Sequence, residues 1–94
     1  MVTALVLLGV ERGKTNAVAE AIAAIDGVSE VYSVAGRYDL AAIIRVKQND
    51  DLAAVVTEKI RKVEGIERSE TLIAFRAYSK FDLEMAFAAV PPAK

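Results

Sequence analysis

Between two apolar runs the chain reads Ala35-Gly36-Arg37-Tyr38-Asp39, which places a guanidinium, a phenol and a carboxylate on consecutive residues. A turn by itself needs less than this: Gly36 to supply a positive φ and Asp39 to accept turn hydrogen bonds, with Arg37 left in solvent. The same residues also suit a small zwitterion. Backbone N–H groups around Gly36 and the Arg37 head would meet a carboxylate, and Asp39 would meet an ammonium. Residue chemistry alone leaves both readings open.

Other candidates are weaker. Gly9-Val-Glu-Arg-Gly-Lys-Thr15 lies between a strand pattern and a helix pattern, where a phosphate-binding loop would lie. It has three residues between its glycines where that loop needs four to curl its N–H groups around phosphates, so it reads as a strand-to-helix turn with a solvated Lys14 and a cap. Glu11, Glu20, Asp26, Asp50, Asp51 and Glu58 fall on loops, caps or exposed helix faces, and none pairs as an acid/base dyad. The chain contains no cysteine and no histidine. Disulfides, thiolate metal sites and a cysteine nucleophile are excluded, and the commonest general base and metal ligand is missing. No cofactor is expected.

With 94 residues, 54% of them apolar, the chain forms one small domain with a modest core and gains by pairing with copies of itself. A net charge of −1, with 12 Lys and Arg spread along the chain, argues against direct nucleic-acid binding. The apolar start is too short to span a bilayer and lacks a basic leader, so a cytoplasmic protein with no membrane partner is expected.

The elements that must position these residues follow from periodicity. Val2 to Val10 reads as a buried strand. From Thr15, Val18, Ala21, Ile22 and Ile25 recur at helical spacing, with Thr15 or Asn16 as N-cap and Gly27 past the end. Val28 to Ala35 and Leu40 to Val46 form a hairpin around the polar turn. Asn49, Asp50 and Asp51 offer caps to a second helix with a Leu52, Val55, Val56, Ile60, Val63 stripe, ended by Gly65. Ile66 to Tyr78 is the last strand. An echo supports two similar halves: "IDGVSEV" at 25–31 and "VEGIERS" at 63–69 both join a helix end to a strand through acid-Gly-aliphatic. The order βαββαβ is a ferredoxin-like sandwich, an α+β fold, with both helices on one sheet face. Residues 1–80 are its domain. Residues 81–94 read as a tail: Leu83, Met85 and Phe87 fit a strand, but Leu83, Ala86, Phe87 and Val90 better fit a short helix stopped by Pro91 and Pro92, followed by disorder.

Two helices cover one face of such a sheet, yet the first and third strands are apolar on both faces. The open face therefore calls for another subunit, with Ile44 as a contact to test.

The stretches "EVYSVAGRYDLAAIIRV" and "VEGIERSETLIAF" resemble the effector-binding domain of the Lrp/AsnC transcriptional regulators. That family has a G-x-[YF]-D-[LY] turn before an apolar strand, and G-[VI]-x-x-[ST]-x-T opening the last one. Gly36, Tyr38, Asp39, Leu40, Gly65, Ile66, Ser69 and Thr71 match over a resemblance spanning about residues 2–78. It implies dimers joined through their sheets, of the dimeric α+β barrel type, assembled into rings. An amino-acid effector would sit between dimers near the Gly36, Tyr38 and Asp39 turn, with Arg37 adjacent and Ser69 and Thr71 approaching from the last strand. Ala35 stands where the family often has Thr. Met1 abuts the first strand, so the chain resembles a stand-alone effector module without a DNA-binding domain, able to join full-length Lrp/AsnC-type regulators. The rivals are a small monooxygenase or isomerase of the dimeric α+β barrel type, lacking its usual His, and a pure assembly module without a ligand.

Overall fold

The computed structural model describes residues 1–78 and 80, so the short helix expected in 81–94 lies outside the described residues. The elements are β1 (Val2–Val10), α1 (Thr15–Ala23), β2 (Val28–Ser33), β3 (Leu40–Val46), α2 (Asn49–Ala54) and β4 (Ile66–Ala74). The four strands form one antiparallel sheet in the order β2-β3-β1-β4, the ferredoxin-like βαββαβ fold.

The period of two along each strand divides the sheet into a closed and an open face. Ala4, Val6, Leu8, Leu40, Ala42 and Ile44 lie fully buried against Val18 and Ile22 of α1 and Leu52 of α2. On the open face the register sets Leu5 between Ile43 on one side and Leu72 on the other, and Leu7 next to Ala41. These side chains are only half-buried, and Leu72 is 43% exposed. The apolar open face is thus real, but Ile44 does not lie on it. Counting alternate residues from Leu40 sends Ile44 into the core, and Ile43 is the residue that faces outward.

Several element ends differ from expectation. β4 stops at Ala74 instead of Tyr78, because Ala74 pairs with Thr3, one residue from the start of β1 at Val2, and residues 76–78 would have no β1 partner. The N-cap of α1 is Lys14, not Thr15 or Asn16. It is set by a turn in which the Lys14 N–H donates to the Glu11 carbonyl at 3.0 Å and Lys14 Nζ pairs with Glu11 Oε2 at 3.0 Å, after Gly13 at φ +86°. Gln48 caps α2, its N–H donating to Asp51 Oδ2 at 3.2 Å, and Asp50 and Asp51 stand in the first turn where the helix dipole favours anions. Ala21, counted in the apolar stripe of α1, is exposed.

After Ala54, α2 continues as a π turn (Val55–Lys59) and a 3-10 turn (Ile60–Lys62). The Thr57 hydroxyl donates to the Ala53 carbonyl at 2.6 Å, occupying the acceptor that an α-helical Thr57 N–H would use. The loosened segment still delivers Val55 and Ile60 to the core. The sequence echo is also a structural one. Gly27 and Gly65 have φ of +100° and +102°, and their carbonyls accept from Arg45 N at 2.9 Å and Glu11 N at 2.8 Å. Each half of the fold thus leaves its helix through a left-handed glycine tied to a neighbouring segment.

Candidate functional site

The Gly36–Asp39 turn is fastened to the end of β1. Gly36 has φ +139°, open to glycine only, and an added Cβ would meet nothing there. The Asp39 N–H donates to the Leu8 carbonyl at 2.8 Å, and its own carbonyl accepts from Val34 N at 3.0 Å, closing the hairpin. Asp39 Oδ2 accepts a 2.8 Å hydrogen bond from the Val10 N–H. The register of β1 against β4 shifts between Gly9 and Val10, so this donor sits where the sheet is irregular, and the carboxylate satisfies it.

Tyr38 reaches across the open face toward β4. Its hydroxyl donates to Glu70 Oε1 at 2.7 Å, and the Arg68 guanidinium carbon stands 5.1 Å from its ring centroid, within cation–π range. The hydrogen bond to Glu70 is the chief reason the Tyr38 phenol titrates above its ordinary value. Arg68 Nη2 also donates to the Arg37 carbonyl. Gly9, buried on β1 opposite Arg68, makes this crossing possible, because a Cβ there would stand 2.8 Å from Arg68 Cγ. One corner of the open face therefore holds Arg37, Tyr38, Asp39, Arg68 and Glu70 together.

Ser69 and Thr71 alternate with Arg68 and Glu70 along β4 and so lie on its other face. Within one protomer they are not brought to the turn. Thr71 instead lines an apolar groove of about 260 Å3 with Ile73 of β4 and Leu52, Ala53 and Val56 beside it. Arg68 and Glu70 escaped sequence reasoning. The signal was present in "ERSET" at 67–71, where the two charged residues take the positions between the matched Ser69 and Thr71.

A second polar group lies elsewhere on the open face. Glu30 accepts from the Tyr32 hydroxyl and from Arg45 Nη1, the latter at 3.3 Å. These bonds, Tyr32 first, hold the Glu30 carboxyl below its usual range and raise the Tyr32 phenol. Among the described residues no group of three or more acidic side chains gathers as a metal site, and no helix is long and apolar enough to cross a membrane.

The sequence pattern of the Lrp/AsnC ligand binding domain matches residues 3–83. This chain belongs to that family. The crystal structure of TTHA0845 from Thermus thermophilus is similar at 50% identity and a TM-score of 0.80, covering 85% of this chain and 100% of that one. The HTH-type transcriptional regulator PH1916 of Pyrococcus horikoshii is 38% identical over 58 residues, 62% of this chain and 39% of the relative. Across such curated regulators this family member spans from 39% to 52% of their length. The Neisseria meningitidis regulator NMB0573, in complex with L-Met, shares the fold at 9% identity and a TM-score of 0.73, over 83% of this chain and 52% of that one.

Proposed function

We propose that this Lrp/AsnC ligand binding domain is a regulatory module, not an enzyme, and that it binds an amino acid at the corner built around Gly36, Arg37, Tyr38 and Asp39. The observation that carries the reading is the fastening of the Asp39 carboxylate to Val10, which holds a turn rich in donors and charge at the rim of an uncovered apolar sheet face. Two copies stack through that face, with Leu5, Ile43 and Leu72 at its centre, and dimers assemble further into a ring. Ser69 and Thr71, on the helix-bearing face of the edge strand β4, reach the ligand held by a neighbouring dimer. The same surfaces let the module join full-length regulators of the family, and effector binding acts on transcription through that assembly.

Two observations favour regulation over catalysis. No polar or charged side chain among the described residues is buried, and apart from the groove beside Thr71 the space between sheet and helices, where a barrel-type enzyme would work, is filled by Val6, Leu8, Ile22, Leu40 and Ile44. The match of NMB0573, crystallised with L-Met, supports an amino acid as the ligand class.

Calorimetric titration of the chain with each of the twenty L-amino acids tests the reading. Saturable binding by at least one at millimolar concentration or below is the expected result. No binding by any of them would overturn it.

A further inference from the structure

We infer that Arg68 and Glu70 of β4, rather than the turn alone, grip the two charged ends of the amino-acid ligand: Arg68 its carboxylate and Glu70 its ammonium. This inference rests on the amino-acid reading above and adds two binding residues to it. A zwitterion needs an anion and a cation held at a fixed separation. The turn by itself supplies this poorly, because one oxygen of its only carboxylate, Asp39, already serves the Val10 N–H.

Strand β4 supplies what is missing. Arg68 and Glu70 lie two apart on one face of β4, with backbones about 7 Å apart, so their long side chains can converge on one small zwitterion. Both side chains are already drawn to the turn. Glu70 accepts from the Tyr38 hydroxyl at 2.7 Å through Oε1, which leaves Oε2 for a donor. Arg68 spends Nη2 on the Arg37 carbonyl and lies against the Tyr38 ring, so its fork is held in place with further N–H donors to offer. An ammonium carries three donors, so Glu70 and the remaining Asp39 oxygen share it. Gly9 keeps the floor beneath Arg68 free of a side chain. In the stacked dimer the second sheet would shield this rim from water and strengthen both ionic contacts.

The test removes each ligand charge and each protein charge in turn. The tightest-binding L-amino acid from the calorimetric panel is compared with its α-amide and its N-acetyl derivative, in wild type, Arg68→Met and Glu70→Gln. A parallel Arg68→Lys variant retains charge, and thermal melts confirm that each variant is folded. Glu70→Gln keeps an acceptor for Tyr38 and is expected to weaken the free amino acid by about ten- to a hundredfold, the size of a charge-assisted hydrogen bond, while leaving the N-acetyl derivative unchanged. Arg68→Met is expected to weaken the free amino acid similarly while leaving the amide unchanged, with partial recovery in Arg68→Lys. If wild type binds but folded variants bind the free amino acid as wild type does, or lose all three ligands equally, the assignment of Arg68 and Glu70 is overturned and the amino-acid reading stands. If wild type binds no amino acid, the reading itself falls, and this inference with it.

Discussion

The Val10 N–H donates to the Asp39 carboxylate at 2.8 Å, tying the turn before β3 to the irregular end of β1. Asp39 therefore has a structural task whatever it binds. Asp39→Ala leaves a partly buried N–H without its partner and is expected to cost about 1–3 kcal/mol in chemical denaturation. Asp39→Asn keeps an acceptor and should melt near wild type, yet as a ligand anchor it should bind the amino acid about ten- to a hundredfold more weakly. Unchanged affinity in folded Asp39→Asn would make the residue purely structural.

Neighbouring isoleucines on β3 should behave oppositely. Ile44 is fully buried under the helices, so Ile44→Lys places an unpaired charge in the core and should abolish folding. Ile43 lies on the open face beside Leu5, and Ile43→Lys should leave a folded chain that no longer dimerises. Sedimentation equilibrium beside circular dichroism separates the two, and a folded wild-type monomer at micromolar concentration would remove the dimer altogether.

Substitution of two glycines should rank by space as well as by backbone. Gly65→Ala combines φ +102° with a Cβ 2.9 Å from Val18 Cγ2, a contact inside the core. Gly36→Ala meets only the backbone strain of φ +139°. Both should destabilise, by about 1 kcal/mol or more, with Gly65→Ala the larger loss of urea midpoint.

Ionisation on the open face sets the pH limits of its polar contacts. The Tyr38 pKa is raised by its bond to Glu70, so that contribution is complete below the ordinary phenol range and lost as pH rises through the raised value. The Glu30 pKa is lowered by Tyr32 and Arg45, so its contribution is present above the ordinary carboxylate range and lost as pH falls through the lowered value. Ultraviolet titration of the phenols should show Tyr38→Phe removing a late-titrating group, and carboxylate NMR should show Glu30 moving up in Tyr32→Phe.

Duplex DNA should not be bound selectively by these 94 residues, whose net charge is −1. Sequence-selective gel shifts with the purified chain would contradict this.

Periodicity and turn chemistry alone determine much of this protein. β1, β3 and the two helices, though not their N-caps, are written in local patterns, because a strand alternates every two residues and a helix repeats every 3.6. The paired Asp26-Gly27 and Glu64-Gly65 steps were legible for the same reason: a left-handed exit from a helix favours glycine at one position. Gly36, Tyr38 and Asp39 were legible as a motif. Which side of the sheet each residue faces was a different matter. Ile43 and Ile44 are chemically identical, and only the pairing of β3 with β1 and the packing of α1 and α2 decided which of them is core. The end of β4 at Ala74 depended on where β1 begins, since a strand lasts only as long as its partner. Arg68 and Glu70 join Tyr38 from about thirty residues away through the β1–β4 register, with Gly9 leaving room, and nothing local in "ERSET" says which two of its residues look toward the turn.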